Sequence, residues 1–138
     1  DVLGSRGLGD VYKDSFEVDK IKIDGYFDSS SEHRKCDYLF VYTSPLSCVY
    51  IFVELKGTDI VHAITQIGNT VNLFYNQGYL KDKKVIGAIV SSRHPSNDGT
   101  YRKAKQTLEK SLSSKIKSFR IEKKNKEMTY DPINDKVI

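Results

Sequence analysis

Val49 to Asp59 reads V-Y-I-F-V-E-L-K-G-T-D. Aromatic and β-branched residues, the side chains that suit a pleated and buried surface, run up to Glu54 and Lys56, and Gly57 follows. Side chains alternate across a strand, so Glu54 and Lys56 share a face. Beyond Gly57 the period changes: Ile60, Ile64, Ile67, Val71 and Phe74 recur at helical spacing, with Ala63 on the same side. The stretch is therefore a strand-to-helix junction with ionisable groups at the strand's end. The spacing predicts a helix over Asp59 to Tyr79, capped by Thr58 or Asp59 and ended by Gly78.

Working outward, C-D-Y-L-F-V-Y-T (Cys36–Thr43) reads as a strand, and T-S-P-L-S as a turn in which Pro45 supplies a fixed φ. Earlier, Phe16, Val18, Ile21, Ile23 and Tyr26 predict a strand with an irregularity near Lys20, and S-S-S-E-H-R (Ser29–Arg34) predicts a loop. Downstream, K-V-I-G-A-I-V-S-S (Lys84–Ser92) is almost continuously apolar and reads as an interior strand. A turn over Pro95–Gly99 leads to a helix marked by Tyr101, Ala104, Leu108 and Leu112. Ser118 to Tyr130 reads as a lysine-rich edge strand. The order β-β-β-α-β-α-β predicts an α/β fold, a mixed sheet flanked by helices, as one domain over residues 16–138. Residues 1–15 read as a flexible or partial N-terminal segment; G-S-R-G-L-G lacks the flanking strand and helix that a phosphate loop requires.

Composition bounds the function classes. A chain of 138 residues with 38% hydrophobic and 29% charged residues suits one globular core and excludes a disordered tail. No apolar run approaches the roughly 18 residues that a membrane helix needs, and no signal-peptide pattern is visible. Cys36 and Cys48 show no metal-ligand spacing, which predicts a reduced, cytoplasmic setting. The net charge of +4 suits a polyanionic partner. His33, His62 and His94 are too scattered for a zinc site, Arg93 and His94 suit a solvated loop or a phosphate contact, and Ser91 has no evident triad partners.

With a tight turn centred on Pro45 and Leu46, Asp37 lies as far before the centre as Glu54 lies after it. In an antiparallel hairpin such residues are directly opposed and project to the same face, provided no bulge intervenes. Asp37, Glu54 and Lys56 then converge. Opposed carboxylates share a proton or hold a cation, and a hard divalent ion such as Mg²⁺ relieves their repulsion. The alternative is a strand end where Glu54 and Lys56 are simply solvated.

Asp37 followed by E-L-K (Glu54–Lys56) in β-β-β-α-β order resembles the PD-(D/E)xK nuclease superfamily, the restriction endonuclease-like and Holliday junction resolvase-like group. The resemblance covers about Phe16 to Ser92, with Cys36 where the motif name has proline. It implies a restriction endonuclease-like fold and a Mg²⁺-dependent endonuclease acting on nucleic acid, DNA first, with Mn²⁺ able to substitute. Asp37 and Glu54, with a backbone carbonyl near Leu55, are the implied metal ligands, and Lys56 would orient the attacking water. Members of the group carry a glutamine on the following helix; Gln66 is so placed, either facing the site or on ordinary helix surface, but Thr70 stands where a tyrosine often follows. The further acidic ligand from an N-terminal helix has no counterpart; it is absent, removed, or replaced by Glu17. So small a domain leaves room for a homodimer or a targeting subunit. A catalytically inactive nucleic-acid-binding or protein-interaction module on the same fold is the alternative.

Overall fold

The computed structural model describes residues 16–23, 35–56, 59–92 and 99–138, with the side chain of Lys56 outside that description. The expectations for residues 1–15, Tyr26, the Ser29–Arg34 loop with His33, Thr58, Arg93, His94 and the turn at Pro95 lie outside the described residues.

Five strands form a mixed sheet in the order β1-β2-β3-β4-β5. They are β1 (Glu17–Lys22), β2 (Tyr38–Thr43), β3 (Cys48–Lys56), β4 (Lys84–Ser91) and β5 (Ser118–Asn125). The first three are antiparallel neighbours, and β4 and β5 continue parallel to β3. Helix α1 (Ile60–Asn76) joins β3 to β4, and α2 (Gly99–Ser113) precedes β5. Among the described residues no helix is long and apolar enough to cross a membrane.

The β2–β3 hairpin is set by its turn. Ser44 and Ser47 exchange backbone bonds at 2.8 and 3.4 Å, and the Ser44 hydroxyl accepts from Ser47 N–H at 3.1 Å. Pro45 and Leu46 are therefore the two central residues, and Thr43↔Cys48 closes a ladder that runs without interruption to Tyr38↔Val53. No irregularity interrupts β1, whose register is continuous from Glu17↔Thr43 to Lys22↔Tyr38. The apolar residues of β1 change face: Phe16 and Val18 pack on one side of the sheet, Ile21 and Ile23 on the other. Both faces carry a core, so such a strand need not alternate strictly.

Two successive right-handed crossovers in one direction deliver their helices to the same face. Residues of both helices accordingly share one buried cluster with Leu39, Phe52, Val85, Ile89 and Ile121. Helix α1 buries Ile60, Ala63, Ile64, Ile67, Val71 and Phe74, the periodic set. Asp59 caps it, its carboxylate accepting from His62 N–H at 3.1 Å. Gly78, at φ +85°, ends it: Gly78 N–H donates to Tyr75 O at 3.0 Å and Tyr79 N–H to Phe74 O at 3.1 Å, the Schellman pattern. The helix lies close on β4 because Gly87 has no side chain; a Cβ there would meet Ile67 Cγ2 at 2.7 Å.

The opposite face is covered by an element that the sequence reading missed. Instead of one strand to Tyr130, β5 ends at Asn125, Lys126 turns at φ +69°, and the chain forms a small hairpin, β6 (Tyr130–Asp131) and β7 (Lys136–Val137). Tyr130 and Val137 pack on Tyr42, Val49, Ile51, Val53, Ile86 and Ala88. Arg120 on β5 fastens this hairpin, donating to Asp135 Oδ2 at 3.2 Å and Asp135 O at 2.9 Å, while Tyr130 OH donates to Asp135 Oδ1 at 2.7 Å.

Candidate functional site

The ladder of the β2–β3 hairpin ends at Tyr38↔Val53: Asp37 N–H donates at 3.0 Å to O of that same Val53, so Asp37 and Tyr38 both oppose one residue, a β-bulge. The count past the bulge shifts by one, so Asp37 does not stand directly opposite Glu54 as the turn count predicted. Glu54 projects from the face that carries Phe52, Leu39 and Cys36, the face under α1. The Asp37 carboxylate is held in place: Oδ2 accepts from Leu55 N–H at 2.8 Å. Glu54 is only 2% exposed, beside Ile89 of β4 in the parallel register. The solvated strand end is therefore not what surrounds Glu54. Lys56 ends β3, paired with the buried Ser91.

Gln66, on the second turn of α1, is 5% exposed rather than on helix surface. Its Nε2 donates to Lys35 O at 3.4 Å, next to the start of β2, while its Oε1 is buried without a hydrogen-bond partner among the described residues. Thr70, one turn further on, is fully buried. Its hydroxyl donates to Gln66 O at 2.8 Å and accepts from Cys36 N–H at 2.9 Å. The position that lacks the tyrosine thus anchors the chain one residue before Asp37. Sequence reasoning missed this role; the available signal was a lone hydroxyl on the apolar side of a periodic helix.

Cys36 reports the electrostatics. Burial pushes its thiol up to about 12; the Thr70 hydrogen bond acts in the opposite direction, and the negative charges of Glu54 and Asp37 push further up. Both carboxylates therefore act on one buried sulfur, which stays a neutral thiol and forms an uncharged wall.

Glu17 cannot serve as a further ligand. It pairs with Thr43 at the turn end of the hairpin, whereas Ile23, six residues on, is the β1-side residue that bonds Asp37 O at 2.9 Å. Six strand residues span about 20 Å. Among the described residues no group of three or more His, Cys, Asp or Glu side chains is arranged to hold a metal. The donor set here is the carboxylates of Asp37 and Glu54, with the Gln66 amide oxygen buried on the Glu54 side of the sheet. It is an all-oxygen set, which fits a hard divalent cation and not zinc or copper. The Leu55 N–H takes part of the Asp37 oxygen capacity and leaves the rest, since a carboxylate offers about four acceptor sites.

His62 is exposed on the first turn of α1, and Ser91 is buried. Compared with known proteins, the chain matches no family model, no curated protein and no solved structure.

Proposed function

We propose that the chain carries a restriction endonuclease-like fold and hydrolyses phosphodiester bonds of nucleic acid, DNA first, at the site built on Asp37 and Glu54. The observation that carries this reading is the Asp37 carboxylate held by Leu55 N–H at 2.8 Å, next along β3 from Glu54, which is only 2% exposed. A buried carboxylate near a second one is costly unless a proton or a cation accompanies it. Asp37, Glu54 and the main chain at Leu55 are the residues that would hold Mg²⁺, with Mn²⁺ as a substitute. When bound, Mg²⁺ supplies Lewis-acid stabilisation of the charge that develops on a phosphodiester.

The chain's own residues do the remainder. Leu55 N–H fixes one Asp37 oxygen and so orients the other toward the site. Gln66, locked by Lys35 O, offers an amide oxygen to a water or a phosphate-bound proton. Lys56 supplies a cation that orients the attacking water and offsets negative charge in the transition state. A homodimer or a targeting subunit would extend so small a substrate surface.

Cleavage of plasmid, single-stranded DNA, RNA and a four-way junction in Mg²⁺, Mn²⁺ or EDTA tests the reading, beside calorimetric metal binding. Lys56→Ala is expected to lower cleavage on the order of 100-fold or more and to keep metal binding, since lysine is not a Mg²⁺ ligand. Glu54→Ala is expected to lose both. A Lys56→Ala protein that cuts as fast as wild type overturns the catalytic assignment. One observation favours a second reading, a non-catalytic binding module: a third acidic ligand is missing among the described residues. Nucleic-acid binding by wild type with no cleavage in any divalent ion would select it.

A further inference from the structure

The start of α2 carries charge that the site above does not use. Arg102 closes the first turn of this helix and Lys103 opens the second, and both are exposed. Lys105 follows, half-buried. From β5, Lys123 reaches the same place: its ammonium lies 4.1 Å from the centroid of the Tyr101 ring. Among the described residues none of these four cations forms an ion pair.

Helix support does not explain them. The N-terminus of a helix is worth about half a positive charge, so a cation in the first turn works against the dipole. That turn of α2 holds Arg102 and no acidic residue, whereas Lys110, in the last turn, sits where the dipole favours a cation. No acidic residue is among the exposed residues of α2. The nearest acids are engaged: Glu109 is turned to β5, where it accepts from Ile121 N–H at 2.8 Å, and Glu122 accepts from Arg120 at 2.9 Å. Asp98, which precedes the helix in the sequence, offsets one cation of the four. The cluster is left cationic.

The sheet fixes where it lies. Glu54 pairs with Ile89, and Ile89 with Lys123, so the three form one row across the sheet. Phe119 and Ile121 belong to the helix-side core, and alternation puts Lys123 on that face, the face of Glu54. Two strand spacings of about 4.8 Å set Lys123 about 10 Å from Glu54 along the row. That is about three nucleotides at a rise of 3.4 Å each. The one aromatic ring in the cluster, Tyr101, is only 7% exposed and lies under Lys123, so no stacking platform for an unpaired base is present there. Cations without a free ring match a phosphate backbone, and a duplex has the densest charge. We infer that Arg102, Lys103, Lys105 and Lys123 hold the backbone of duplex nucleic acid about three nucleotides from the Asp37–Glu54 site. The inference rests on the nuclease reading for the identity of the polyanion.

The experiment is fluorescence anisotropy of a labelled duplex of about 20 base pairs over a salt series, with EDTA present so that nothing is cut. The double variant Arg102→Gln, Lys103→Gln is expected to flatten the slope of log K against log salt by about 1.8, and Lys123→Gln by about 0.9. Lys103→Arg keeps the charge and is expected to keep the wild-type slope. So is Lys136→Gln, an exposed position on β7, in the hairpin that covers the other face. Circular dichroism checks that the variants fold. A wild-type slope in the folded charge-removing variants of the cluster overturns the inference. An equal flattening by Lys136→Gln also overturns it, since net charge alone would then set the slope. Tighter binding of phosphatidylserine vesicles, or of a single strand of equal length, than of the duplex overturns it too. If the slope depends on the cluster but no divalent ion supports cleavage, the surface stands and the nuclease reading falls. If the duplex is cut and every variant keeps the wild-type slope, the surface falls and the nuclease reading stands.

Discussion

Cys36 is the residue through which the candidate site meets the core. Its backbone is tied to Thr70 on α1, its side chain is buried, and the next residue is Asp37. Burial, with the Glu54 and Asp37 charges adding to it, raises the thiol from an ordinary 9.0 to about 12. A raised folded-state value means that stability is fully present below the unfolded pKa and is lost as pH rises through the folded one. The window therefore runs from about pH 9 to pH 12, with a limiting slope of about 1.4 kcal/mol per pH unit. Tyr42, also buried and pushed up to about 12, adds its own loss from pH 10 upward. Urea denaturation in reductant is expected to show wild type losing on the order of 1 kcal/mol more than Cys36→Ala between pH 9 and 10. Equal losses would mean that the thiol is not held neutral by its surroundings. In the native protein a thiol reagent is expected to label the half-buried Cys48 and spare Cys36.

Helix α1 sets the geometry at the scale of elements, and its seat on the sheet is Gly87. Phe52 and Ile121 flank this glycine in the ladder, so the helix lies on a floor with a dip at β4. A Cβ at Gly87 would press on Ile67 Cγ2 at 2.7 Å, and Ile67, fully buried, has nowhere to retreat. Gly87→Ala is therefore expected to destabilise by about 1–3 kcal/mol, the cost of overpacking a close-packed core. It would also lift the helix that carries Gln66 and Thr70 away from the start of β2. Thermal unfolding reads the first effect, and faster exchange of the Cys36 amide reads the second. Gly68→Ala, which meets only the flexible end of Leu108 at 3.0 Å, is the milder control.

Across the whole molecule, the two faces of the sheet are closed by unlike means: two helices on one side and a hairpin of two-residue strands on the other. Such short strands cannot hold themselves, so the hairpin depends on Tyr42, Tyr130 and the Arg120–Asp135 contact. Tyr42 and Tyr130 meet edge to face, with centroids 4.9 Å apart. At Asp135 burial opposes ionisation, but hydrogen bonds from Arg120 and Tyr130, with the charges of Arg120 and Lys84, outweigh it and hold the carboxyl below its usual value. For a depressed pKa, the stabilisation is present above the unfolded value near 4 and is lost as pH falls below it. The hairpin is expected to loosen first in acid, with faster exchange at Thr129 and Ile138 below about pH 4 while the β3–β4 amides stay protected. Asp135→Asn is expected to produce that pattern at neutral pH. Uniform loosening of the whole sheet would show instead that the hairpin and sheet unfold as one unit.

Local chemistry carried much of this architecture into the sequence. A two-residue turn at Pro45–Leu46 sets the register of its hairpin from Thr43↔Cys48 to Tyr38↔Val53, so those pairs are readable from counting alone. The bulge at Asp37 shifts the count, and the expected opposition of Asp37 and Glu54 fails. The change from period 2 to period 3.6 across Gly57 marked the end of β3 and the start of α1, and the periodic isoleucines marked the buried face. What depended on tertiary structure involved residues far apart in the chain or too few to show a period. Gln66 and Thr70 became buried groups because β2 packs against them from more than thirty residues away. Glu17 was removed from the site by strand direction, which no spacing reveals. The β6–β7 hairpin was invisible because two-residue strands have no pattern, and the Arg120–Asp135 contact exists only once the chain has turned at Lys126.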